Sequence, residues 1–235
     1  MARTPIALAD LFRYYRAMPH QMAAIQMLGE RIPASILSRE MDWFKVWSHA
    51  GCIKDEELPT QQDGVRLPVP YEYQNDNASG EGWRECMSSS CAMLARFHGK
   101  IKNDDAYNAV RRRYGDTTIQ AAHVQALQSL GLKARFVTNG TVKMLEAELL
   151  AGRPVAVGWL HHGSVAHPSG GGHWSVVTGY TAAAFIHNDP NGEADLINGG
   201  YRNHSAGKGI TYSRKNWLRR WLPDGPSCGW AILVG

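Results

Sequence analysis

Apolar residues in the first fifty positions recur at intervals of three and four, the spacing of one face of a helix. The spacing predicts one helix around residues 8–15, a second around residues 22–28, and a third beginning near Pro33, since proline suits a first helical turn. Residues 51–68 are rich in charge, glycine and proline, which is typical of a linker. We therefore predict a helical segment over residues 1–50 and a linker over residues 51–68. So short a segment builds a weak core of its own, and we expect it to pack on the rest of the chain or on a partner.

The pattern changes after residue 69, where helical periodicity comes first and alternating apolar positions follow. Helices are predicted over residues 88–98, 104–113, 119–130 and 144–150. Strands are predicted over residues 133–138, 155–160, 174–180, 184–188 and 230–234. Because helices and strands do not alternate regularly, the order indicates an α+β fold with an antiparallel sheet, in one domain over residues 69–235.

The composition is that of an ordinary globular protein, with 44% hydrophobic and 20% charged residues. The formal net charge of +4 suits an anionic partner such as a cell-wall polymer, and it is too small to indicate nucleic acid. The basic clusters at residues 111–113 and 214–220 carry no nucleic-acid motif, so we expect them to form solvated faces. No stretch reads as a signal peptide or a membrane span. We expect a monomer that is made in the cytoplasm and meets its target after release.

The four cysteines are spaced as Cys52, Cys86, Cys91 and Cys228, without a CxxC pair. This spacing fits neither a zinc site nor a disulfide framework. Reduced thiols in a chain made in the cytosol are the simplest interpretation. We expect neither a cofactor nor a metal.

Cys86 lies among small and polar residues at the start of a predicted helix. A helix N-terminus and a neighbouring imidazolium favour the thiolate, which is the nucleophilic form of cysteine. A lone cysteine is more commonly a buried structural residue. However, Cys86 is on no apolar stripe, whereas Cys91 suits the helix interior. Cys86 is therefore the candidate nucleophile, and Cys91 a core residue.

His173 follows three glycines and opens the predicted strand 174–180, where it could pair with the thiolate. The rival histidines are His161, His162 and His167, in the loop before it. Exposed or substrate-adjacent side chains are the plainer interpretation of these three. A metal site built from them is an alternative, although no cysteine or acidic ligand accompanies them at a suitable spacing.

Asp189 follows the predicted strand 184–188 in a strong turn sequence, and it could orient the imidazole by accepting its second N–H. Asn188 is the alternative for this role, but strand alternation points the two side chains to opposite faces. Gln74 precedes a loop that leads to Cys86. Its side-chain amide, with the backbone N–H of Cys86, could form an oxyanion hole.

These four motifs in this order resemble the papain-like peptidases related to the double-glycine leader (bacteriocin-processing) peptidases. The motifs are Gln74-Asn75-Asp76-Asn77, Cys86-x-x-x-Ser90-x-Ala92-Met93, Gly172-His173-Trp174-Ser175-Val176-Val177-Thr178-Gly179-Tyr180 and Asn188-Asp189-Pro190. The resemblance covers residues 69–235. It implies a papain-like fold, in which a central helix carrying the cysteine packs on an antiparallel sheet, and it implies Gln74, Cys86, His173 and Asp189 as catalytic residues. Two features depart from the family: Met87-Ser88 stands where Gly-Pro is common, and no transporter segment is present.

Residues 191–201 and 212–221 are similar to a group of phage-encoded members of these peptidases. This similarity implies an endolysin or virion-associated lysin that cuts amide bonds in the peptide moiety of bacterial peptidoglycan. Trp83, Trp159 and Trp174 flank the motifs and are candidates for the substrate cleft, although such aromatics are more often core residues. The alternatives are a protease that processes a protein or leader peptide, an N-acetylmuramoyl-L-alanine amidase, and a catalytically silent wall-binding module on the same fold.

Overall fold

The computed structural model describes residues 5–7, 31–33 and 64–235 of a chain that divides into two units, Met1–Gln61 and Gln62–Gly235. In the first unit, strands β1 (Pro5–Ala7) and β2 (Arg31–Pro33) pair in antiparallel fashion. The helices predicted around residues 8–15 and 22–28 lie outside the described residues, and so does most of the predicted linker. Pro33, near which the third helix is predicted to begin, is the last residue of β2, and the rest of that helix lies outside the described residues.

The second unit contains five α-helices and eight β-strands. The helices are α1 (Cys86–Phe97), α2 (Asp104–Arg111), α3 (Gln120–Ser129), α4 (Val142–Leu150) and α5 (Arg214–Trp221). The strands are β3 (Ala134–Gly140), β4 (Val155–Trp159), β5 (His173–Tyr180), β6 (Ala184–Asn188), β7 (Glu193–Ala194), β8 (Tyr201–Asn203), β9 (Ile210–Ser213) and β10 (Gly229–Val234). The predicted α+β class is confirmed. Helix α5 and strands β7 to β9 were not predicted.

Six strands form one antiparallel sheet in the order β3-β10-β4-β5-β6-β9, and β7 and β8 form a separate pair. Neighbouring residues on β4 point to opposite faces of this sheet. Val155 and Val157 pack with α4 and α5, whereas Ala156 packs with α1, α2 and α3. Burial on both faces explains why β4 is an almost continuous apolar run.

Helix α1 is the central helix on one face of the sheet, and its residues from Met87 to Ala95 are all buried. Two of its three serine hydroxyls have buried partners: Ser88 bonds the Thr117 hydroxyl at 2.7 Å, and Ser89 donates to the Asp104 carboxylate at 2.9 Å. The buried Ser90 hydroxyl has no partner within the described residues. Because the body of the helix is enclosed, the half-exposed Cys86 at its first position is where the helix meets the surface.

Two arginines that the sequence placed on solvated faces are buried. Arg111 donates to the Gly115 carbonyl at 2.8 Å and to the Asn108 side chain at 3.1 Å. Arg220 donates to backbone carbonyls, which are those of Leu160, His162, Gly163 and Leu196. The expectation was wrong for these two residues because inward-facing carbonyls replace water as hydrogen-bond acceptors.

The last residues of the predicted linker lie along β5. Tyr180 donates its N–H to the Val65 carbonyl at 2.9 Å, and Leu67 donates to the Thr178 carbonyl at 2.7 Å. Among the helices in the described ranges, none is long and apolar enough to cross a membrane.

Candidate active site

Cys86 opens α1 and lines a cleft of about 870 Å³. As the first helical residue, it has a backbone N–H without an acceptor inside the helix. The preceding Glu85 is turned away from the cleft: its carboxylate accepts hydrogen bonds from Asn77 at 2.7 Å and Ser79 at 2.8 Å. The helix N-terminus therefore faces the thiol with its positive end and favours a thiolate there.

Cys91 lies in the interior of α1 and is fully buried. Burial raises the pKa of its thiol to about 12. A thiol that stays protonated and out of reach of solvent is inert, so Cys91 is a core residue and Cys86 is the thiol available to a substrate.

His173 is the first residue of β5, where it is paired with Trp159 of β4. Its ring is buried, and Cys86 is near enough to act on its protonation. Burial alone would lower the pKa of His173, but the charge of Asp189, the hydrogen bond to Asp189 and the nearby Cys86 raise that pKa to about 10. The structure therefore favours an imidazolium beside Cys86.

Asp189 directly follows β6, the neighbour of β5 in the sheet, and its carboxylate Oδ1 accepts the Nε2–H of His173 at 2.8 Å. Because Nε2 is taken by Asp189, Nδ1 is the ring nitrogen left for Cys86. Asn188 points elsewhere: its amide donates to the Val69 carbonyl at 3.0 Å and accepts from the Gly209 N–H at 2.9 Å. Asp189, not Asn188, is therefore the residue that orients the imidazole in this structure.

The backbone of Asp189 is held by a loop and a tyrosine. Its N–H donates to the Gly207 carbonyl at 2.8 Å, and its carbonyl accepts from the Tyr71 hydroxyl at 3.1 Å. A side chain at position 207 would not fit, since a Cβ there would lie 1.9 Å from the Asp189 carbonyl oxygen and 2.4 Å from the Tyr71 hydroxyl. Close backbone contact thus fixes the position from which the carboxylate projects.

Gln74 starts a short 3-10 turn and is buried. Its Nε2 donates to the Gly82 carbonyl at 2.8 Å, on the turn that leads into Cys86, and its backbone N–H donates to the Pro190 carbonyl at 2.9 Å. A carbonyl can only accept, so Nε2 must face Gly82, which itself has no room for a Cβ. One N–H of the amide remains for an oxyanion.

The rival histidines differ in their surroundings. His161 lines the cleft beside His173, with ring centroids 5.5 Å apart. His167 also lines the cleft but is exposed, and His162 is exposed outside it. Burial and the nearby His173, His162 and Arg220 lower the pKa of His161 to about 3. Within residues 64–235, no group of three or more His, Cys, Asp or Glu side chains is placed to hold a metal ion.

The three candidate tryptophans all line the cleft. Trp159 and Trp174 are also buried, and Trp159 stands edge-on to the His173 ring with centroids 5.3 Å apart. Trp83 differs, because 77% of it is exposed. A fourth indole, Trp230 on β10, lines the same cleft and is 46% exposed. It flanks none of the four motifs, so the sequence analysis does not select it.

Several solved structures resemble the chain. One described as a C39-like peptidase from Bacillus anthracis is 16% identical with a TM-score of 0.51, and the match covers 74% of this chain and 98% of that one. The peptidase domain of Streptococcus ComA, a bifunctional ABC transporter involved in a quorum-sensing pathway, is 17% identical with a TM-score of 0.45, over 73% of this chain and 98% of that one. A double-glycine motif protease from an AMS/PCAT transporter, in complex with the leader peptide, is 18% identical with a TM-score of 0.45, over 72% and 92%. The first likeness shows the fold alone.

No curated protein matches the sequence significantly. The family model described as "Peptidase_C39 like family" matches residues 66–222, which is more than half of the chain. That range contains Gln74, Cys86, His173 and Asp189. The chain therefore belongs to the Peptidase_C39-like family of cysteine peptidases.

Proposed function

We propose that this chain is a cysteine endopeptidase in which Cys86, His173 and Asp189 form the catalytic triad and Gln74 contributes to the oxyanion hole. The observation that carries the proposal is the 2.8 Å hydrogen bond between the buried His173 ring and the Asp189 carboxylate, with Cys86 near the same ring. Cys86 lines a cleft large enough for a peptide, and Asp189 is fully buried.

In the first half of the reaction, the Cys86 thiolate attacks the carbonyl carbon of an amide and forms a C–S bond. The backbone N–H of Cys86 and the remaining amide N–H of Gln74 stabilise the oxyanion. His173 then gives its Nδ1 proton to the amine as the C–N bond breaks, which leaves a thioester. In the second half, His173 takes a proton from water, the water oxygen attacks the thioester, and the acid leaves as the thiolate is restored.

We infer further that the amide bonds belong to the peptide moiety of bacterial peptidoglycan, which the enzyme meets after release from the cell in which it is made. Three features support this substrate. The net charge of +4 suits an anionic wall polymer. The cleft is open and presents the exposed indoles of Trp83 and Trp230. Residues 191–201 and 212–221 are similar to those of phage-encoded peptidoglycan endopeptidases.

The first test is the loss of turbidity of purified cell walls. Wild type and Cys228→Ala should both clear the suspension, whereas Cys86→Ala should not. Cys228 is the matched control, because it is another free thiol lining the cleft. Equal clearing by wild type and Cys86→Ala would refute the catalytic role of Cys86.

The second test is mass spectrometry of the released fragments, which fixes both the substrate and the bond. Cleavage within the stem peptide or cross-bridge supports an endopeptidase, and release of whole stem peptides from the sugar identifies an amidase. A peptide panel digested in parallel would reveal a processing protease instead. Failure of iodoacetamide to label Cys86 at neutral pH would indicate a silent binding module.

A further inference from the structure

The Asp189 carboxylate is completely enclosed, so every hydrogen bond that stabilises its charge comes from the protein. Oδ1 accepts from the His173 ring at 2.8 Å and from the Asn191 N–H at 3.0 Å, and it lies 3.4 Å from the Tyr201 hydroxyl. Oδ2 accepts from the Tyr212 hydroxyl at 3.0 Å. Within residues 64–235, the Tyr212 hydroxyl is the only hydrogen-bond donor to Oδ2.

The direction of the Tyr212 hydrogen bond is fixed by its other partner. The hydroxyl oxygen accepts the backbone N–H of Ala194 at 2.9 Å, and because an N–H can only donate, the phenolic hydrogen is left for Asp189. The ring is held between two aromatic neighbours, Trp159 with centroids 5.9 Å away and His187 with centroids 4.9 Å away. Tyr212 is therefore a rigid, correctly pointed donor.

We propose that Tyr212 is a positioning residue of this enzyme: its phenol holds the Asp189 carboxylate turned so that Oδ1 faces His173. The proposal rests on the proposed function, in which Asp189 orients His173. A carboxylate that lost its only donor at Oδ2 would be left with a buried, unpaired oxygen, and it could relieve that cost by rotating. That rotation would loosen the imidazolium beside Cys86.

The chemistry of the phenol suits this role across the working pH range. Burial and the charge of Asp189 raise the pKa of Tyr212 well above its usual value, so the hydroxyl keeps its hydrogen. The same causes act on Tyr201. The two histidines nearest the triad carry no competing charge, because burial and the nearby His173 lower the pKa of both His161 and His187 to about 3.

The experiment measures the rate at which iodoacetamide alkylates Cys86 at pH 7, with the label located by mass spectrometry, because that rate depends on the ion pair and needs no known substrate. Tyr212→Phe should slow alkylation about tenfold, as expected for one hydrogen bond to a buried charge. Tyr201→Phe is the matched control: it removes a phenol from the same carboxylate, but at a longer distance and from an oxygen with two other donors. It should change the rate by less than about twofold.

A double-mutant cycle separates positioning from general destabilisation. If Tyr212 acts through Asp189, Tyr212→Phe should have no effect on alkylation once Asp189→Asn is present. On a wall substrate it should lower kcat and leave KM unchanged. If Tyr212→Phe fails to fold, Tyr212 can be replaced by 4-aminophenylalanine, which keeps the ring and a weaker hydrogen-bond donor. This variant should reduce the alkylation rate less than Tyr212→Phe would, and it should have no effect once Asp189→Asn is present.

The possible failures are distinguishable. If wild-type Cys86 is not alkylated faster than a free thiol, the proposed function fails. If wild-type Cys86 is reactive and Tyr212→Phe is equally reactive, only the role of Tyr212 is overturned. The role of Tyr212 would also be overturned if Tyr212→Phe slowed alkylation by the same factor with and without Asp189→Asn. Such a result would show a structural effect that does not depend on the Asp189 carboxylate.

Discussion

Arg220 on α5 donates a hydrogen bond to the carbonyl oxygen of His162 at 3.0 Å, and so ties a helix on one face of the sheet to the loop that carries His161 into the cleft. The same guanidinium also donates to the carbonyls of Leu160, Gly163 and Leu196. Since no carboxylate forms an ion pair with it within the described part of the chain, these four carbonyl oxygens are its hydrogen-bond acceptors.

Replacement of Arg220 by lysine should therefore be costly. A lysine ammonium cannot reach carbonyls spread over this loop with the fixed fork of a guanidinium. We expect Arg220→Lys to lower the free energy of unfolding by about 3 kcal/mol and to raise KM several-fold, because the loop forms a cleft wall. Urea unfolding and wall-lysis kinetics measure the two effects. Arg219→Lys, the exposed neighbour on the same helix, should change neither.

Asp104 should make the protein less stable as pH rises through weakly acidic values. Burial, opposed by the hydrogen bond from Ser89, raises the pKa of Asp104 from its usual 3.8 to about 7. Between these values the unfolded chain is ionised while the folded protein holds the proton, so rising pH favours unfolding. At neutral pH and above, the ionised Asp104 carboxylate therefore lowers the free energy of unfolding.

We therefore expect Asp104→Asn to be more stable than wild type at pH 8, on the order of 1–3 kcal/mol, and to show little of this advantage at pH 4. Asp105→Asn removes the same charge from the same helical turn and is the control. Urea unfolding at both pH values compares the three proteins. An Asp104→Asn protein that is less stable than wild type at pH 8 would contradict the prediction.

His173 should make the protein less stable as pH rises through neutral and alkaline values. Its pKa is raised from the usual 6.5 to about 10 in the folded protein. The stabilisation by its imidazolium is fully present below pH 6.5 and is lost as pH rises through about 10, by up to about 1.4 kcal/mol per pH unit. The difference in unfolding free energy between wild type and His173→Gln should shrink over this range. A difference that stays constant from pH 6 to pH 10 would rule the linkage out.

Trp83 should contribute to substrate binding and not to folding. With 77% of the residue exposed, Trp83→Ala should leave the unfolding free energy within about 0.5 kcal/mol of wild type. We expect it to weaken wall binding about fivefold, because an exposed aromatic at a cleft is a contact surface. Sedimentation with purified walls measures this. Leu150→Ala, which removes an exposed apolar side chain from α4, should bind as wild type does.

Local pattern accounts for most of the elements that carry the triad. Helix α1 was predicted over residues 88–98 and runs over Cys86–Phe97, and β6 was predicted with the bounds it has, Ala184–Asn188. These elements have clear periodicity and clear punctuation by glycine and polar residues. The placement of Cys86 and His173 at element starts, and of Asp189 just after a strand, could therefore be predicted from neighbours in sequence.

The features that the sequence did not reveal depend on distant contacts. Strand β9 is only four residues long, which is too short for a clear alternating pattern. Helix α5 carries so many basic residues that its sequence favours a solvent-exposed segment. Arg220 is buried because a distant loop turns its carbonyls toward it. Tyr212 matters because β9 lies beside β6 and so brings its phenol to Asp189. Neither the contacts of Arg220 nor that of Tyr212 can be predicted from the spacing of apolar residues nearby in sequence.

The close fit of Gly207 against Asp189 has a consequence for engineering. A library that randomises the loop around position 207 would vary exposed side chains on either side without touching the chemistry, yet every substitution at this one position would displace the backbone that carries the third triad member. Variants selected for a new specificity could therefore differ at the cleft walls, but all of them should keep Gly207. A residue with no functional group would then tolerate substitution as poorly as a catalytic residue.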